Sequence, residues 1–214
     1  MAELLSLITG YIFGSFPTAY LLLKRTLDVD ITRNGSGNVG ALNSYEVSKS
    51  KLLGASVFSI DFFKGLLPVL IISFFIGDIF IYKMLGLLGA VLAHCYSPWI
   101  KFKGGRGLAT AAGGSFVISI PIIIIWGLIW LTAFALRRNI HFANFTATIL
   151  TGVLSFTSVH VLVKYTMPPP ASGIEFSLLT SLIMLIILLK HIQPIKEYFK
   201  TQNQKVRDIK DESI

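Results

Sequence analysis

The sequence predicts an all-α integral membrane protein of about seven transmembrane helices, with its N-terminus outside and its C-terminus inside. Three observations carry that expectation. Of the 214 residues, 53% are hydrophobic and only 14% are charged, against about a quarter charged in ordinary soluble domains. Apolar runs recur at the length of roughly twenty residues that a helix needs to cross the hydrocarbon core. The cations cluster between these runs, where they orient a membrane chain. A net charge of +8 could suit nucleic acid, but no single soluble face collects it, so a nucleic-acid partner is not expected.

The apolar segments fall near 3–23, 52–76, 79–100, 109–136, 142–164 and 174–190. The first has no basic leader and continues as a span, so no cleaved signal peptide is expected. Lys24, Arg25, Arg33, Lys49 and Lys51 place the polar segment 24–51 on the cytoplasmic side, and Lys101, Lys103 and Arg106 do the same for the loop 101–108. The polar stretch beyond Lys190 carries Lys196, Lys200, Lys205, Arg207 and Lys210. If 109–136 were one long helix, Arg137 and Arg138 would emerge outside. Two shorter helices, broken near Ser119 to Pro121 with help from Gly113 and Gly114, keep that pair inside and bring the passes to seven. Residues 1–200 read as one membrane domain and 201–214 as a polar, solvated cytoplasmic tail; Pro168, Pro169 and Pro170 read as a stiff external turn. The single cysteine, Cys95, excludes an internal disulfide and a cysteine metal cluster, and reads as a small buried hydrophobe.

Two loops on the inner side carry chemistry. Residues 102–110, FKGGRGLAT, combine Gly104, Gly105 and Gly107 with Lys103 and Arg106. Glycines let backbone N–H groups turn toward an anion, and the cations add charge, so the loop suits phosphate. A flexible turn whose cations only set topology fits the same residues. It is not a nucleotide-type phosphate loop, because no G-x-x-x-x-G-K-[ST] spacing is present. The earlier loop, from Asn34 to Asn43, holds three glycines with Ser36, Asn38 and Asn43. It reads alone as a turn-rich connector, and beside the second loop as half of a shared phosphate site. Polar clusters at one surface, with no internal repeat, suit an interfacial enzyme better than a transporter.

The stretches GSFPTAY, SGNVGALN, DFFKG and AHCYSPWIKFKGGRGLAT, in this order over residues 14–110, resemble the PlsY membrane glycerol-3-phosphate acyltransferases. The resemblance implies a seven-helix bacterial inner-membrane protein. It implies transfer of an acyl group from acyl phosphate to the 1-hydroxyl of glycerol 3-phosphate, giving lysophosphatidic acid without a metal or other cofactor. The partners implied are these two substrates and membrane lipids, with the chain acting as a monomer. By the same resemblance Ser36, Asn38, Gly40, Asn43, Lys103, Gly104, Gly105, Arg106 and Gly107 bind the donor phosphate, and Ser36, His94, Arg106 and His191 are the catalytic candidates. His94 also reads as a structural histidine at a span end. Asp61 and Lys64, three apart on a helix, read as a structural ion pair.

The chain departs from the family pattern on the acceptor side. Leu42 stands for a threonine, Glu46 for a phosphate-binding arginine, Arg106 for a lysine and His141 for a serine. Near the C-terminus Pro194 stands for asparagine, Glu197 for arginine and Asn203 for glutamate. These changes leave open another acceptor, or binding without turnover.

Overall fold

The computed structural model describes residues 1–211. Its regular structure is helical, with no strand among the described residues: α1 Ala2–Ser15, α2 Thr18–Leu27, α3 Ala41–Ser48, α4 Lys51–Phe75, α5 Phe80–Cys95, α6 Leu108–Ile118, α7 Ile120–Arg137, α8 Ile140–Thr157, α9 Val159–Leu162 and α10 Gly173–Asp211. Among the described residues, six stretches are long and apolar enough to cross a membrane: 2–27, 51–75, 80–100, 120–137, 140–157 and 173–204. Helices predominate because hydrocarbon supplies no hydrogen-bond partner, so each backbone group must be satisfied within its own segment.

Small residues let the helices approach. A Cβ on Gly14 of α1 would lie 2.1 Å from the carbonyl oxygen of Ala90 on α5, and one on Gly65 of α4 would lie 1.8 Å from that of Thr110 on α6. With lipid as apolar as the side chains, close backbone packing of this kind replaces the hydrophobic drive available in water. A buried cluster of α5, α6 and α10, including Leu87, Val91, Ala111, Ile183 and Ile187, fills the centre.

Where the expected break in 109–136 falls, the structure has α6 and α7 meeting at an extended Ser119, with Pro121 in the first turn of α7. Arg106, just before α6, hydrogen-bonds His141, just after α7. The two helices therefore run away from one face of the bundle and back to it. At the far end the Ile118 carbonyl accepts the Met167 amide. The eleven residues of α6 reach only about 16 Å, roughly half the hydrocarbon thickness.

Two differences from the sequence reading concern the ends and the first loop. The polar loop 24–51 contains a folded helix, α3, whose eight residues carry too short a pattern to stand out in sequence. The expected tail is helical as far as Asp211, because α10 continues out of the last span; residues 212–214 lie outside the described residues.

Candidate phosphate site between two glycine loops

The site is built on an interruption in the first span. Pro17 cannot continue α1, and the chain restarts as α2 one residue later. Distant side chains reach the carbonyls at this break, where the Thr18 amide also donates to the Phe16 carbonyl. Lys64 Nζ donates to the Phe16 carbonyl at 2.5 Å, and Ser97 Oγ donates to the Ser15 carbonyl at 2.6 Å. Trp99 Nε1 donates to Ser15 Oγ at 3.1 Å. Lys64 also pairs with Asp61 at 2.7 Å, both side chains at most 6% exposed. The buried pair thus ties the first span to α4.

His94 continues this chain of contacts. Its Nδ1 stands 3.7 Å from Asp61 Oδ1. Its Nε2 faces Gly105, where a Cβ would come within 2.1 Å. The Gly105 amide donates to the His94 carbonyl, and the Val39 amide donates to the Gly104 carbonyl at 3.3 Å. The two glycine loops are therefore joined edge to edge over a buried histidine. That packing gives His94 a structural place, and the catalytic candidacy implied by resemblance gains no substrate-facing surface here.

Each loop ends in a helix whose first turn lacks a side-chain cap: α3 after Gly40 and α6 after Gly107, the latter at φ 83°. The amides of Asn38, Arg106 and Gly107 donate to no protein acceptor among the described residues. Two uncapped helix N-termini and unspent amides on adjoining loops concentrate hydrogen-bond donors of the kind that suit an anion. Ser36 is exposed and its hydroxyl is uncommitted among the described residues, and Asn38 is half-buried. Asn43 is committed elsewhere. It is buried, its Oδ1 accepts from the Ser36 amide, and its Nδ2 donates to the Asn34 and Asn38 carbonyls. Asn43 thus shapes the loop from beneath, where the sequence reading had it touching phosphate.

Arg106 is partly buried at the open side of the cradle, with Nη1 3.2 Å from His141 Nδ1. Burial draws its pKa below the usual guanidinium value, while Glu197 and Glu46 act in the opposite direction. An arginine so far above neutrality stays charged. Lys103 is exposed at the rim, within the field of Asp30. His191 is fully buried; its Nδ1–H donates to the Ile187 carbonyl at 2.8 Å, and Nε2 has no partner among the described residues. As placed, His191 braces α10 and presents no surface to a substrate. Lys190, outside the set of site residues expected from sequence, lies 4.5 Å from the centre of the Tyr96 ring and within the field of Arg106. Its adjacency to His191 at the end of an apolar run was the available signal.

The family model for glycerol-3-phosphate acyltransferase matches residues 4–201. This chain belongs to that family. A glycerol-3-phosphate acyltransferase of Helicobacter pylori is 33% identical over 209 residues, covering 93% of this chain and 92% of the relative. Glycerol-3-phosphate acyltransferase 2 of Moorella thermoacetica is 37% identical over 145 residues, covering 67% and 73%. Among solved structures, the glycerol 3-phosphate form of the integral membrane acyltransferase PlsY superposes with a TM-score of 0.76 at 31% identity, covering 94% of both chains. Its lysophosphatidic acid form gives 0.74 at 30% identity, covering 94% of this chain and 93% of that one. The chain is a multi-pass membrane protein.

Proposed function

We infer that this chain acylates glycerol 3-phosphate in phospholipid synthesis, and we propose an acyl phosphate as the donor. The join between Val39 and Gly104 carries the reading of the donor site, since it brings two uncapped helix N-termini to one place. An acyl phosphate is a mixed anhydride. The 1-hydroxyl of glycerol 3-phosphate forms the new C–O bond at the acyl carbon, the bond from that carbon to the phosphate oxygen breaks, and the hydroxyl proton leaves on the released phosphate. The leaving group is good, so holding both reactants and stabilising charge supply most of what the reaction needs. Asn38, Arg106 and Gly107 amides, the Ser36 hydroxyl and the Arg106 guanidinium would hold the donor phosphate. Lys103 would draw anions to the rim. The seven-pass path, with the site face and C-terminus toward the cytoplasm of a bacterial cell and the chain acting as a monomer, belongs to the same proposal; the cations at the site face support the orientation.

The decisive test supplies purified protein with palmitoyl phosphate and labelled glycerol 3-phosphate. Label entering lysophosphatidic acid is the expected result, and none entering it would reject the reading.

Glu46 and Glu197 are exposed carboxylates in the field of Arg106 and His141. They oppose an incoming dianion, and being exposed they act through screened electrostatics. Replacing both by glutamine is expected to lower KM for glycerol 3-phosphate by about threefold at low salt, the gain shrinking as the Debye length shortens toward ~3 Å at 1 M. Kinetics at two ionic strengths check this; a salt-independent change would point to altered packing instead.

A further inference from the structure

We propose that His141 is a positioning residue, accepting a hydrogen bond from Arg106 at Nδ1 and so holding the guanidinium at the two-loop cradle. The inference rests on the acyl-transfer reading of that cradle and adds to it a residue from a separate element. The contact is 3.2 Å between Arg106 Nη1 and His141 Nδ1. A guanidinium has donors only, so the ring nitrogen must be the acceptor. That requires the neutral imidazole with its proton on Nε2.

The two partners differ in how they are held. Arg106 belongs to a glycine-rich loop and carries a long side chain whose ordering costs entropy. His141 sits in the first turn of α8, whose start is fixed by Asn139: Oδ1 of Asn139 accepts the Phe142 amide at 2.9 Å. That helix packs on α7 and α10. A helix thus supplies the fixed end, and the long side chain of a loop residue is the end that is held. Arg106 then faces the cradle already ordered, so less of the phosphate's binding energy goes into fixing the side chain.

The tautomer makes the latch sensitive to acid. A doubly protonated ring has no lone pair for Arg106 and sets two cations against each other. The other charged or titratable groups coupled to this pair are Glu46 on α3, and Glu197, His191 and Lys190 on α10. They supply charges of both signs but none of them replaces the missing acceptor at Nδ1.

The test compares three substitutions at this position. Asparagine places an amide oxygen where Nδ1 sits; glutamine carries its amide out toward Nε2; alanine supplies neither. The expected loss in kcat/KM for palmitoyl phosphate is about tenfold or more for His141→Ala and His141→Gln, as for a lost hydrogen bond to a charged group, and His141→Asn recovers most of it. In an Arg106→Ala background, His141→Ala should cost nothing further. The acid limb of the parent's pH profile should be weaker in His141→Asn. Equal losses for asparagine and alanine, or an undiminished cost in the Arg106→Ala background, would overturn the proposal. If alanine does not fold, the asparagine and glutamine pair still decides it. A measurement independent of turnover uses protein with 15N-labelled histidine, the His141 signals being assigned by their loss in His141→Asn. An unprotonated Nδ1 with a protonated Nε2 is expected at neutral pH, and a protonated Nδ1 would reject the latch even in a protein that transfers nothing. An inactive parent with the expected tautomer would instead reject the acyl-transfer reading and leave the latch standing.

Discussion

Alanine at Gly104 is expected to abolish acyl transfer while leaving the helical bundle inserted and folded. A Cβ there would lie 2.3 Å from the His94 carbonyl oxygen and 2.5 Å from that of Cys95. Both are backbone atoms at the end of α5, so no side chain can swing aside and the loop itself must move. The Gly104 carbonyl is also the acceptor for the Val39 amide. Moving it parts the two glycine loops and spreads the amides that would face the phosphate. Losing preorganised donors costs on the order of 100-fold or more in turnover. Gly127 on α7 is the matched control, because a Cβ there meets nothing within 4 Å. Initial rates with palmitoyl phosphate, beside a size-exclusion profile in detergent, separate the outcomes. A Gly104→Ala protein as active as Gly127→Ala would move phosphate binding away from this loop.

Lys64→Met is expected to be the most damaging single change to stability. Lys64 joins Asp61 to the Phe16 carbonyl at the break between α1 and α2. Without the ammonium, Asp61 is a buried carboxylate with no cation at hydrogen-bond distance, and the Phe16 carbonyl keeps only the Thr18 amide as donor. Removing one partner of a buried ion pair costs about 3–5 kcal/mol, whereas replacing both by apolar residues is often close to neutral. The prediction is a large fall in thermal unfolding temperature for Lys64→Met and substantial recovery in Lys64→Met with Asp61→Leu. A double variant no more stable than the single one would assign the loss to the Phe16 carbonyl, and so to the joint between α1 and α2.

Several features were legible in the residues themselves. Apolar length and cation placement predicted the membrane class, and Pro121 predicted the break that the structure places at Ser119, whereas α6 runs unbroken through Gly113 and Gly114. The chemistry of the two loops was also readable, because glycine, hydroxyl, amide and basic residues act through local backbone freedom and charge. The ordered motifs pointed to the family that the comparisons then showed. Less readable was the use each residue is put to. Asn43 and Ser36 belong to one polar loop, yet the amide of one is spent inside the loop while the hydroxyl of the other is open. His94 and His191 stand in motifs that suggest catalysis, and packing buries both.

By itself, then, the sequence determined what depends on neighbours along the chain: the spans, their interruptions, and the phosphate-suited makeup of two loops. Only the tertiary structure decided which loops touch, which histidines are covered, and that Arg106 meets His141 from 35 positions away. The joint between Ser15 and Ser97 links residues 82 apart. Such contacts arise because glycine-lined helices approach within backbone distance, and that approach is set by the packing of the whole bundle, which no local spacing encodes.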